Sequence, residues 1–112
     1  MFNNCNNLIE LDVSSFKTGN VTTMDSMFRN CFVLLSLNVS NFTTTKVTNM
    51  IEMFNGCENL VSLDLNSFDT INVTTMEMLF QKCINLENLN IDNFNPSAPQ
   101  TDFLFNKSEG SP

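Results

Sequence analysis

Histidine, tryptophan and tyrosine are absent from this 112-residue chain. Without histidine it lacks the commonest general base and the commonest metal ligand. Cations are scarce. Five Lys and Arg stand against twelve Asp and Glu, for a formal charge of −7 at pH 7. That balance argues against nucleic acid, which needs cationic surface for its phosphates, and against adsorption to anionic membranes. No apolar run approaches the ~20 residues of a membrane span, so no membrane insertion is expected. There is no Gly-rich phosphate loop, nucleophile elbow or paired-carboxylate motif. The expectation is therefore a protein that is not an enzyme and holds no cofactor. No export signal is legible in the chain, because Met1 already sits on a repeat position.

What the chain does have is a repeat. Residues 27–52 read MFRNCFVLLSLNVSNFTTTKVTNMIE, and the pattern recurs every 26 residues without a gap. Phe2, Phe28, Phe54 and Phe80 align, as do Cys5, Cys31, Cys57 and Cys83. So do Leu8, Leu34, Leu60 and Leu86; Leu11, Leu37, Leu63 and Leu89; and Phe16, Phe42, Phe68 and Phe94. An ungapped period of this length marks a solenoid, in which each repeat buries its apolar residues against the next. The predicted domain is a four-repeat unit over 1–105, divided 1–26, 27–52, 53–78 and 79–104, followed by a polar tail over 106–112.

Within a repeat the period changes. Leu11 and Val13 alternate with Glu10, Asp12 and Ser14, the signature of a short strand that pairs in parallel with its counterparts. A polar corner with one Phe follows. Val21, Met24, Met27 and Phe28 then fall on one helical face. Thr22 with Asp25, and Thr74 with Glu77, have capping-box spacing. About two helical turns are predicted from Thr22, Thr48 and Thr74, leaving by a left-handed residue at Asn4, Asn30, Gly56 and Lys82. The fold class is α/β, with four strand-loop-short-helix repeats and one parallel sheet. The fourth repeat departs from the pattern. Pro96 and Pro99 oppose a helix start, and Phe103, Leu104 and Phe105 are placed to fold over the end.

The combination of Phe28, Cys31, Leu34, Leu37, Val39, Ser40, Phe42, Val47, Thr48 and Met50 resembles the BspA-like leucine-rich-repeat surface proteins, in the longer-repeat form noted in mycoplasmas. The resemblance covers Met1 to about Asn95. It implies a leucine-rich-repeat horseshoe or solenoid, secretion or display at the cell surface, and adhesion. It carries over no catalytic residue.

The Cys column reads as buried thiols filling a core slot; an inter-repeat disulfide is the alternative. A zinc site is not expected, because the ligands would form a line and no Cys-x-x-Cys pair exists. The Met and Phe columns read as core. The candidate partner-binding face consists of the outward strand positions: Glu10, Asp12, Ser14, Ser36, Asn38, Ser40, Ser62, Asp64, Asn66, Asn88, Asn90 and Asp92. Alternating Asp and Asn down the middle column separates like charges. The face is either a solvated, hydrogen-bonded surface or a recognition surface for a basic or hydroxyl-rich partner. Calcium bridging lacks any EF-hand loop. Asn-x-Ser/Thr triplets begin at Asn20, Asn38, Asn41, Asn72 and Asn106 and are glycan acceptors only in a eukaryotic secreted protein. Because Asp64 points outward, its change to Ala is expected to cost on the order of 0.5 kcal/mol or less. The functional expectation is a protein- or glycan-binding module. Its rival is a scaffold segment whose first repeat docks end to end on another repeat or subunit; the fit of Met1 and Phe2 to the repeat, with no N-terminal cap apparent, suits a fragment or an assembly.

Overall fold

The structure is a computed structural model and describes residues 10–94. The expectations for Phe2, Asn4, Cys5 and Leu8, for the fold-over of Phe103 to Phe105 and for the tail 106–112 lie outside those residues.

Four short strands form where the alternation predicts them: β1 (Glu10–Leu11), β2 (Ser36–Leu37), β3 (Ser62–Asp64) and β4 (Asn88–Asn90). β1 pairs with β2 and β3 with β4, both in parallel. Each residue faces its counterpart one period on, Leu11 opposite Leu37 and Leu63 opposite Leu89. Leu37, Val39, Leu63 and Leu65 are buried, while Ser36, Asn38, Ser62 and Asp64 face solvent. Among the described residues the strands fall into two two-stranded sheets, where one was expected. At the seam Val61 N–H reaches Leu35 C=O over a long 3.5 Å. Strands of two or three residues carry so few rungs that one stretched bond ends the ladder.

The chain leaves each strand through an Asx turn. The N–H groups of Ser14, Ser40 and Asn66 donate to Oδ1 of Asp12, Asn38 and Asp64 at 2.9 Å, and that of Asp92 to Asn90 at 3.0 Å. Phe42 and Phe68 then plug the corner, their rings 6.3 Å apart and inclined by 9°. Beyond them lies a buried threonine column. Thr18 Oγ1 donates to Thr43 C=O at 3.1 Å and accepts from Thr43 N–H at 2.8 Å. Thr44 does the same with Asp69, at 3.0 and 2.8 Å. One hydroxyl thereby satisfies both backbone groups of the neighbouring unit.

The predicted helices are absent from the described residues. In their place is a chain of turns. Met27, Arg29 and Cys31 donate N–H to the residue three before: Met24, Ser26 and Phe28. The intervening amides of Met24, Ser26, Phe28 and Asn30 leave the unit and bond Asn49, Ile51, Met53 and Asn55 C=O at 2.7–2.9 Å. A left-handed residue recurs every fourth position: Ser26 and Asn30, Glu52 and Gly56, Met78 and Lys82. An α-helix would turn those amides back on itself and leave neighbouring units without a backbone bond on this side. The capping boxes fail for the same reason. Thr48 and Thr74 hydroxyls donate to Thr22 and Thr48 C=O in the preceding unit, and Asp25 N–H bonds Thr23 Oγ1.

The core lies between the two legs. Phe28, Phe54 and Phe80 stack 5.6 and 5.9 Å apart at 9°. Met24, Met50 and Met76 and the thiols of Cys31 and Cys57 are buried beside them. The fourth unit is looser: Leu86, Leu89, Ile91 and Phe94 are half-buried, where Leu60, Leu63, Leu65 and Phe68 are fully covered.

Candidate functional site

The strand leg sets the site. With the leucines turned inward, alternation sends Ser, Asn and Asp outward. Asp12, Ser14, Ser36, Asn38, Ser40, Ser62, Asp64, Asn66, Asn88 and Asp92 are exposed, and Asn90 is half-buried. Glu10 lies in β1 opposite Ser36.

Three shallow grooves run side by side over this face. The largest, about 610 Å³, lies at the seam between β2 and β3 and is lined by Ser36, Asn38, Ser40, Ser62, Asp64, Asn66 and Ser67. A groove of about 310 Å³ holds Asp12, Ser14, Ser36 and Asn38. One of about 400 Å³ holds Ser62, Asp64, Glu87, Asn88 and Asn90. Every candidate except Glu10 and Asp92 lines one of the three.

The middle column does structural work that its exposure conceals. Asp12, Asn38, Asp64 and Asn90 each hold the turn that follows their strand. Either residue type supplies the acceptor, so Asp and Asn alternate without loss of the turn. Ser14, through its hydroxyl and its N–H, holds the Asp12 carboxyl below its usual value. The expectation of a negligible cost for Asp64→Ala is corrected accordingly, since the turn loses its acceptor.

Ser67 and Glu87 line the grooves and were not among the candidates. The signal for Ser67 is the polar residue before each corner Phe. That column ties units together: Asn41 Nδ2 donates to Ser14 C=O at 2.8 Å, Ser67 Oγ to Val39 C=O at 3.1 Å and Asn93 Nδ2 to Asn66 C=O at 2.6 Å. The Asn41 amide, like that of Asn72 on Thr45 C=O at 2.6 Å, would have to leave its bond to carry a glycan.

The thiols of Cys31, Cys57 and Cys83 are free. Cys57 Sγ donates to Phe28 C=O at 3.3 Å, and Cys83 Sγ to Phe54 C=O at 3.1 Å. Burial pushes the Cys83 thiol up to about 12. It pushes Cys57 higher still, with the neighbouring Cys83 and Cys31 adding to the effect. Among the described residues no three His, Cys, Asp or Glu converge as a metal site, and no helix is long and apolar enough to cross a membrane.

The family model described as "Mycoplasma protein of unknown function, DUF285" matches residues 1–110. The chain belongs to this family. The match to DUF285 takes in all four repeats and the whole candidate face. No curated protein and no solved structure matches the chain. For this DUF285 chain the strand face remains the surface on which the outward residues and the grooves coincide.

Proposed function

We propose that this chain is a non-enzymatic recognition module of the BspA-like leucine-rich-repeat type, secreted or displayed at the cell surface, and built as a solenoid. It adheres to a protein or glycan through its polar strand face. The observation that supports this reading is the run of three grooves along one face, each lined by Ser, Asn and Asp together with strand leucines, and by no cation. The Asx turns fix Asn38 and Asp64 in place before any partner arrives. Side chains already ordered lose less entropy on binding. Each turn uses Oδ1, so the second polar atom of Asn38 and Asp64 is the one presented. Hydroxyls on either side both donate and accept. The set suits a hydroxyl-rich glycan or a basic, polar protein surface.

A screen of matrix proteins and glycans against the whole chain identifies the partner. Asn38→Ala and Asp64→Ala are then expected to weaken binding by about 1 kcal/mol or more if these are hot spots. Asp64→Asn keeps the turn and removes the charge, so it separates recognition from folding. Unchanged affinity in all three variants would move the function off this face. The rival reading, a scaffold segment stacking end to end, rests on a different surface, the outer edge of the first unit.

A further inference from the structure

We infer that the outer edge of the first unit is a docking site for one more repeat of this same 26-residue pattern. This goes beyond the strand-face reading and uses none of its residues.

The bonding between units has a direction. Each interior turn chain receives amides from the unit before it: Met24 and Ser26 N–H reach Asn49 and Ile51 C=O at 2.8 and 2.9 Å. Met50 and Glu52 N–H reach Thr75 and Glu77 C=O at 2.9 and 3.1 Å. In return Thr48 and Thr74 N–H donate to Thr22 and Thr48 C=O at 2.8 Å. The buried threonine of the earlier unit closes on both backbone groups of Thr43 or Asp69.

The first unit has the equivalent groups: the N–H and C=O of Lys17, the N–H of Thr22, and the C=O of Thr23 and Asp25. Among the described residues nothing bonds to any of these five. They line one edge, and an open edge of directional backbone groups is a template for pairing. A groove of about 570 Å³ runs beside them, lined by Thr18, Val21, Met24 and Met27 among others. Val21 is only half-buried there, whereas Val47 and Val73 are buried.

The interior units identify the occupant. What covers the same surface on them is a segment with Thr, Val and Met at the spacing of Thr44, Val47 and Met50. Such a segment brings a hydroxyl for Lys17 and a carbonyl for Thr22 N–H. It also brings two amides, two residues apart, for Thr23 and Asp25 C=O. An unrelated apolar ligand would fill the groove and leave those five groups unmatched.

The test extends the full chain ahead of Met1 with SNFTTTKVTNMIE, the sequence of Ser40 to Glu52. That segment precedes Met53 as it would precede Met1. Expected are a raised thermal midpoint and hydrogen exchange at the Lys17 and Thr22 amides slowed by about tenfold or more. A scrambled extension of the same composition should give neither. Val21 packs partly on the core, so Val21→Asp is compared with and without the extension, and it should abolish the difference between the two midpoints. No slowing of exchange, an equal gain from the scrambled extension, or a gain that survives Val21→Asp would overturn the inference. Protection of the same amides when the unextended chain is concentrated would support the inference, with a second copy supplying the repeat.

Discussion

A Cβ added at Gly56 would meet the side chain of Asn30, and the backbone there has φ +85°. Both facts oppose any L side chain, so Gly56→Ala should destabilise by roughly 1–2 kcal/mol or more, read from urea unfolding. A cost near zero would mean the turn relaxes freely. The left-handed positions before Cys31 and Cys57 were legible because Asn and Gly tolerate them. Ser26, Glu52 and Met78 were not, since those residue types give no such sign and the neighbouring units impose the geometry. The thiols make a second prediction at this scale. Burial holds Cys83 neutral up to about 12 in the folded state, against an ordinary 9.0. The unfolded thiol ionises first, so its contribution is full below pH 9 and is lost as pH rises from there toward 12. The urea midpoint should therefore fall across that window and fall less in a Cys57→Ala, Cys83→Ala double variant. Identical pH curves for the two proteins would refute the assignment.

Among the elements, the strands could be read from the sequence and the turn chains could not. Met24, Met27, Phe28 and Cys31 point inward at spacings of three, one and three, and so would the face of a helix. Periodicity alone cannot separate the two. Two other features favour the turn chain. The β-branched run Val21-Thr22-Thr23 is a poor helix start, and the leg is too short for a helix to hold by itself. Far-UV circular dichroism should accordingly lack the helical double minimum, whereas a strong one would restore the helices. The threonine column offers a sharper test. Thr44→Val keeps the shape but leaves Asp69 N–H and C=O without their partner. Asp69 is exposed and these bonds are only part-buried. The loss should therefore lie near the low end of the cost of an unsatisfied buried group, about 1 kcal/mol, and Thr44→Ser should recover most of it. Equal stability of the Val and Ser variants would show that the hydroxyl is dispensable.

Across the whole molecule the core was legible and the site was legible in part. The columns of Phe, Leu, Met and Cys named the interior before any geometry was known, because each position recurs in register. Phe54 lies between Phe28 and Phe80, so Phe54→Ala should cost about 3–5 kcal/mol and unfold so small a protein; a cooperative transition near the parent midpoint would contradict this. The outward residues could be picked by alternation, but the grooves and the turns that fix Asp12, Asn38, Asp64 and Asn90 arise only from packing. The hydrogen bonds between units have a kinetic consequence. They join residues about one period apart, 25 to 29 positions along the chain. Closing a loop of that length costs about 3 kcal/mol of chain entropy beyond a constant. The cost is the same at every junction and does not grow with the number of units. The first junction to form is then the slow step, and each later unit adds to a surface already made. Lengthening such an array should therefore slow unfolding while leaving the rate of folding almost unchanged.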